Sequence, residues 1–575
     1  MSDRWQQYRQ ATGPLPSHNL TWPFAGRSLE SVGVDGQPVR ETMPTCGPDE
    51  ILVRVDALGL CASDAKMIRM GHDYPLFFER DFDADPARLG HEAALTAVIV
   101  GDGWQAQYYA GQRLGIQPDV YVDGKRTIFG VNIPGAMAQY VILERGVLAS
   151  DFGSCIFPVL SDVSYADIAL LEPWACVDVA YRATARRPTP KQDGLLWIKG
   201  NPGDRRTYRV GCELKSRHIV LTNVPPSLAR ELHSRYGVVA ERPRASAVDV
   251  AEEFAPDTGL DDIILIDPKE ADHVAEAVDQ LASRGTLNLV TNHSWDEPVA
   301  VDMNKLHYQH LALLGCTGPD IADAYGTERN RSELRPGGVI WILGAGGTMG
   351  RMHIQRALQL PNGPRAIIAT NRGQERLNSI INDFSALAAT SGRELVAFNP
   401  TMEPGRLQGE ISRLTGGRGC DDIVVVVPNP AAVAEALPFL AADGMLVVFA
   451  GAEAGNSIKL PLDRVSLYGA QFTGTSGSTV ADQLQVLEKI QDNSLSATRT
   501  VAAIGGMKAM RHGLQAVLEK AYPGKVVIFP QLIDLPLLSL PELEQVLPDV
   551  YRQLDPGPTW TAQAERVLIE KCWTL

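Results

Sequence analysis

No Cys-x-x-Cys pair occurs in the 575 residues, and the eight cysteines (46, 61, 155, 176, 212, 316, 420 and 572) are scattered. Such spacing excludes a disulfide scaffold and a four-cysteine zinc lobe, and it suits a reducing, cytoplasmic setting. Long apolar runs are missing too: the longest, such as Ile423 to Val427, stop far short of the roughly 20 residues that a membrane-spanning helix needs. The opening residues, Met1-Ser2-Asp3-Arg4-Trp5, show no basic segment followed by an apolar core, so no secretory signal is expected. Basic residues are in deficit, 53 Lys and Arg against 68 Asp and Glu, for a net charge of -15. That balance argues against nucleic acid or an acidic membrane as the main partner, but leaves room for a small anionic substrate in a local basic pocket.

Hydrophobic residues make up 45% and charged residues 21%, so a large buried core is available and global disorder is excluded. At roughly 100–200 residues per domain, the length predicts three or four domains. An internal repeat accounts for the surplus. Leu281 to Gly318 aligns without a gap, at a constant offset of 159, on Leu440 to Gly477. Upstream, Asp261–Pro268 matches Asp421–Pro428 and Gly194–Gly200 matches Gly338–Gly344, in collinear order.

Each copy reads as short Val/Ile/Leu strands alternating with helical segments: a strand ending at Gly200 or Gly344, a second near Thr222 or Thr370, a third at Ile263–Ile266 or Ile423–Val427, and a fourth at Leu287–Val290 or Leu446–Phe449. Such runs separated by helices imply a buried parallel sheet covered on both faces. The fold class is therefore α/β, with two tandem Rossmann-like doubly wound domains over 191–330 and 335–494. The flanking 1–190, rich in Gly, Pro and strand-like segments, is expected to form one mostly antiparallel domain completed by 495–575. In that last part, Ala502–Pro530 reads as a helix followed by the strand Lys525–Phe529. Pro-containing stretches at Arg186–Gln192 and Glu333–Gly338 are the linker candidates.

In the second copy, Trp341-Ile342-Leu343 runs into Gly344-Ala345-Gly346-Gly347-Thr348-Met349-Gly350 and then a helix. Small residues let a backbone approach a pyrophosphate, and a helix N-terminus offers unpaired N–H groups and a favourable dipole. The spacing predicts dinucleotide binding, with Gly344, Gly346 or Gly347, and Gly350 as the glycines of the turn. Where an acidic residue would hold the ribose 2′-hydroxyl of NAD, the sequence reads Thr370-Asn371-Arg372. Arg372 suits the 2′-phosphate of NADP, so NADP(H) is preferred over NAD(H); the other reading is a solvated arginine with NAD bound less selectively.

The first copy reads Gly200-Asn201-Pro202-Gly203-Asp204-Arg205-Arg206 at the same place, with Pro202 and Arg206 where the second has Gly346 and Gly350. A bulky side chain at the last position obstructs close strand–helix packing, so this copy is expected not to bind a dinucleotide in the usual way. A structural or oligomerisation role is the reading preferred, the alternative being another ligand met by Arg205 and Arg206.

The N-terminal part contains Gly59-Leu60-Cys61-Ala62-Ser63-Asp64-Ala65-Lys66, then Gly90-His91-Glu92, then Leu171-Glu172-Pro173-Trp174-Ala175-Cys176. One thiolate, one imidazole and one carboxylate are a sensible donor set for a catalytic zinc that keeps an open position.

With these motifs in this order, the sequence resembles the zinc-dependent medium-chain dehydrogenase/reductase (alcohol dehydrogenase-like) family, with a GroES-like catalytic domain. It is most similar to the branch of L-sorbose-1-phosphate reductase and the polyol dehydrogenases, through Gly59–Gly71, Gln117–Gly124, Glu172–Val177 and Gly474–Gly477. The resemblance implies Cys61, His91 and Glu172 as zinc ligands, with Glu92 either ligating or holding a metal-bound water. Ser63 would relay the substrate proton and Asp64 would orient His91. Lys66 would either extend that relay or stand as a solvated lysine. Only Cys155 lies between Glu92 and Glu172, so the family's second, structural zinc is not expected. The implied reaction is reversible reduction of a carbonyl on a sugar, sugar phosphate or polyol, in a cleft between domains. The alternatives are a zinc dehydrogenase of another secondary alcohol or sugar, and a non-catalytic nucleotide-sensing or assembly protein. A homo-oligomer, a dimer, is expected.

Overall fold

The computed structural model describes residues 2–11, 13–77, 79–182, 187–237 and 239–574. The chain divides into two compact units, one formed by residues 1–177 with 477–575 and the other by 178–476. No helix among the described residues is long and apolar enough to cross a membrane.

The first unit is built on one eight-stranded sheet. Its strands run in the order Ile156–Pro158, Arg113–Ile116, Glu92–Val100, Ile51–Gly59, Lys525–Phe529, Val501–Gly506 and Leu538–Ser539, with Tyr140–Leu143 also paired to Ile51–Gly59. All these pairings are antiparallel except that of 501–506 with 525–529. The C-terminal segment thus completes an N-terminal sheet through Val527 opposite Gly59. The reading of Ala502–Pro530 as a helix then a strand needs correction: Val501–Gly506 is a strand before the helix Met510–Glu519. Its alanines and glycines hid the signal, yet burial on both faces favours small residues there. The C-terminal return also begins earlier than 495, because the helix Val480–Gln491 is tied to this unit by Gln483, whose amide donates to Gln117 Oε1 at 2.7 Å and to the Ile116 carbonyl at 3.2 Å.

The second unit holds two six-stranded parallel sheets. Strands of the first copy are β1 (Leu195–Lys199), β2 (His218–Thr222), β3 (Val239–Glu241), β4 (Leu260–Ile266), β5 (Leu281–Val290), β6 (Val299–Asp302) and β7 (Ala312–Cys316). Those of the second are β8 (Val339–Leu343), β9 (Ala366–Thr370), β10 (Glu394–Phe398), β11 (Cys420–Val425), β12 (Leu440–Val448), β13 (Ser457–Leu460) and β14 (Gln471–Thr473). Sheet orders are β3-β2-β1-β4-β5-β7 and β10-β9-β8-β11-β12-β14. Both reverse direction beside their first strand, which is the doubly wound dinucleotide-fold topology.

The copies agree in detail. Trp197 Nε1 donates to Thr222 Oγ1 at 3.0 Å, and Trp341 Nε1 to Thr370 Oγ1 at 2.9 Å. The backbone N–H groups of Lys191 and Arg335 both donate at 2.8 Å, to Asp262 and Asp422 respectively. Those buried carboxylates also pair with Arg187 at 3.2 Å and Arg331 at 2.8 Å. The two proline-containing stretches are therefore pinned entries to each sheet and not slack linkers; Arg186, at the head of the first, lies outside the described residues.

Candidate functional site

The fully buried strand Ile51–Gly59 delivers Cys61 to the N-cap of the helix Ala62–Met70. Asp64 turns back to accept the Cys61 N–H at 2.9 Å, which fixes this turn. Ser63 Oγ lies 3.3 Å from His91 Nε2, and Asp64 Oδ1 lies 3.6 Å from His91 Nδ1. Burial opposes the charged form of His91, but the Asp64 carboxylate and Cys61 outweigh it and raise the imidazole well above its ordinary range.

Glu92 begins the neighbouring strand and sits directly opposite Gly59. A Cβ on residue 59 would lie 2.3 Å from Glu92 Oε2, so only glycine leaves room for this carboxylate. Lys525 Nζ donates to Glu92 Oε1 at 2.5 Å and Oε2 at 2.7 Å. Burial works against the Lys525 charge, yet Glu92 and Cys61 raise its pKa.

Glu172 is buried at the start of the helix Leu171–Val179, where Cys176 Sγ, one turn on, donates to its Oε1 at 3.2 Å. Burial raises the Glu172 carboxyl, His91 opposes that and the charge of Glu92 adds to it, which places all three in one electrostatic neighbourhood. Among the described residues, the donors that come within 4.8 Å of one another are Cys61, His91 and Glu92; Glu172 stands outside that set. Sulfur, nitrogen and oxygen donors at one point are a donor set that fits a zinc ion. Lys66 is exposed on its helix.

In the second unit, β8 leads to the glycine turn and the helix Thr348–Gln359, capped by Gly347. Gly344 has φ +87°, and its N–H and that of Ala345 both donate to the Thr370 carbonyl, at 3.1 and 3.0 Å. A Cβ on Gly350 would lie 2.7 Å from Ala345 Cα and 2.8 Å from the Gly344 carbonyl, the close packing expected of the last glycine. Thr348 and Met349 open the helix. Asn371 donates to the Gly373 carbonyl at 3.2 Å, and Arg372 is exposed at the end of β9 with its carbonyl held by Asn399 at 2.8 Å. Arg376 borders the turn as well: a Cβ on Gly346 would lie 2.9 Å from its own Cβ.

The equivalent place in the first copy is closed. Residues 201–217 form no helix after β1. Arg206 instead pairs with Asp204 at 3.0 Å and Asp267 at 2.9 Å, and Asp267 also takes Asn201 at 2.9 Å and Lys269 at 2.8 Å. Burial works to raise the Asp204 carboxyl, but hydrogen bonds from Arg206 and Tyr208 hold it down to about 2. A network of internal ion pairs thus stands beyond β1 and β4, where a doubly wound sheet presents a pyrophosphate to a helix start.

Residues 47–150 match the alcohol dehydrogenase GroES-like domain. The L-sorbose 1-phosphate reductase of Klebsiella pneumoniae is 28% identical over 81% of this chain and 79% of its own length. The mannitol-1-phosphate 5-dehydrogenase of Aliivibrio fischeri is 27% identical over 41% of this chain, and the match spans 57% of that relative. The crystal structure of 2R,3R-butanediol dehydrogenase from Bacillus subtilis shares the fold, at a TM-score of 0.50 and 14% identity over 89% of this chain and 99% of that one. These likenesses support an alcohol dehydrogenase-like, medium-chain dehydrogenase/reductase family.

Two residues escaped sequence reasoning. Lys525 is 433 positions from Glu92 and meets it only through sheet pairing; its one signal is a lone charge at the head of the apolar strand Lys525–Phe529. Arg376 lies in the first turn of the helix Gln374–Thr390, four positions after Arg372.

Proposed function

We propose that this chain is a zinc-dependent oxidoreductase that moves a hydride between NADP(H) and a ketose phosphate or polyol, in the cytoplasm. The observation that carries the reading is the convergence of Cys61, His91 and Glu92 within 4.8 Å inside a GroES-like domain. Free thiols at all eight cysteines suit a reducing compartment. The similarity to L-sorbose 1-phosphate reductase and mannitol-1-phosphate 5-dehydrogenase supports the substrate class.

When bound, zinc supplies Lewis acidity to the carbonyl oxygen and the nicotinamide supplies the hydride. Cys61 and His91 hold the metal, and a carboxylate from Glu92 or Glu172 completes the set. Asp64 fixes the Cys61 backbone and faces the second nitrogen of His91, which orients the ring. Ser63, beside His91, passes the proton to the substrate oxygen. Lys525, donating to both oxygens, aims the Glu92 carboxylate. Gly344, Gly346, Gly347, Thr348, Met349 and Gly350 receive the pyrophosphate at the helix start. Asn371, Arg372 and Arg376 border the ribose, where a guanidinium favours a 2′-phosphate.

The test is a metal assay together with a screen of sugar phosphates, free ketoses and polyols against NADPH and NADH. Stoichiometric zinc and turnover of a phosphorylated ketose or a polyol with NADP(H) are expected. A preparation that holds no zinc and is not activated by it sinks the mechanism, and turnover confined to unrelated alcohols sinks the substrate class.

A further inference from the structure

The two dinucleotide-fold copies meet through β6 and β13, which pair antiparallel: Val299 opposite Leu460, Ala300 opposite Lys459, Val301 opposite Ile458. Under the repeat offset of 159, Val299 is equivalent to Ile458, Ala300 to Lys459 and Val301 to Leu460. Ala300 therefore faces its own equivalent, and the flanking pairs are exchanged. That is the signature of a two-fold, isologous contact, in which residue i meets j and j meets i.

The reciprocity extends beyond the strands. Ser466 Oγ donates to the Leu289 carbonyl at 2.8 Å; their equivalents, His307 and Val448, meet at 3.1 Å between Nδ1 and the carbonyl oxygen. A Cβ on Gly315 would lie 2.6 Å from Ser466 Oγ, and one on its equivalent Gly474 would lie 3.2 Å from His307 Cα. Val299, Val301 and Leu306 share one buried cluster with their equivalents Ile458, Leu460 and Val465.

The first copy has lost the helix and the open turn that receive a dinucleotide, and it has kept this face. The ungapped stretch of the repeat, 281–318 against 440–477, covers β5–β7 and β12–β14, the elements that make the contact. A self-complementary face fits a second copy of its own fold, and an open sheet edge invites such pairing.

We propose that the first copy is a tethered partner: it occupies in cis the self-complementary face of the nucleotide-binding copy, so that this face is closed to a second chain. Covalent attachment holds the partner at high effective concentration without a new contact. A homodimer, if formed, uses other surfaces.

The test is the full-length A300C/K459C variant under mild oxidation. Both positions are exposed, and opposed antiparallel residues lie about 4.5–5.5 Å apart at Cα, within disulfide range. A disulfide within one chain, at the mass of a single 62.4 kDa polypeptide and absent from either single variant, is expected. A disulfide between two chains that needs both cysteines overturns the proposal, and so does the absence of any 300–459 link. Hydrogen exchange on the unmodified protein gives a second reading. Amides of 299–302 and 457–460 should be equally protected at low and high protein concentration; protection lost on dilution overturns cis pairing.

Discussion

Lys525 Nζ donates to both carboxylate oxygens of Glu92, and both side chains are buried, 3% and 0% exposed. A buried pair of this kind adds little net stability, but removing one partner strands a charge. K525M should therefore destabilise the first unit by about 3–5 kcal/mol and lower zinc retention. K525R, which keeps the charge, should lose less of both. Urea midpoints and metal content per chain check this; wild-type values for K525M in both would show that the pair is incidental.

Gly350 is packed against the preceding turn so closely that any side chain meets backbone, whereas its counterpart Arg206 sits in a chain that never forms the helix. G350R should abolish dinucleotide binding by NADPH fluorescence titration. R206G should confer none on the first copy, so one site per chain is expected in both wild type and R206G. A second site in either would mean that the Asp204–Arg206–Asp267 network opens to ligand.

Arg376 borders the glycine turn from the helix that follows β9, and Arg372 stands exposed at the end of β9. R372A and R376A should each weaken NADPH binding by about 10-fold, the loss of one charge-assisted contact at roughly 1.5 kcal/mol, and leave NADH nearly unchanged. Equal losses for the two cofactors would assign these arginines no part in the preference.

What was legible in the sequence followed from how local each signal is. The strand–turn–helix of Gly344–Gly350 carries its chemistry within a dozen residues, and so does the damage at Pro202 and Arg206. Cys61, Ser63 and Asp64 share one helix start, and His91 and Glu92 are adjacent, so their grouping was readable. Lys525 and Val501–Gly506 were not, because each takes its meaning from a sheet partner hundreds of residues away. Glu172 was picked out by motif alone; that Glu92 rather than Glu172 comes within metal-binding distance of Cys61 and His91 depends on the register that sets Gly59 opposite Glu92. The reciprocal contact of the copies had a visible trace, the ungapped offset of 159, but an offset does not say that Ala300 and Lys459 are neighbours.

Glu565, on the C-terminal helix Ala562–Cys572, accepts the N–H groups of Tyr165 at 2.6 Å and Ala166 at 2.9 Å, and burial raises its carboxyl to about 7. In the unfolded chain the same group titrates near its ordinary value of about 4.3. Between those values the folded state holds a proton that the unfolded state has released, so this group's contribution to stability falls as pH rises from about 4.3 through 7. E565Q carries no such titration. The stability of wild type relative to E565Q should therefore drop between pH 5 and pH 8 by about 3 kcal/mol at most. Paired urea midpoints at the two pH values measure the gap. A gap that stays constant, or widens in favour of wild type at pH 8, would mean that the two backbone N–H groups hold the carboxylate charged despite its burial.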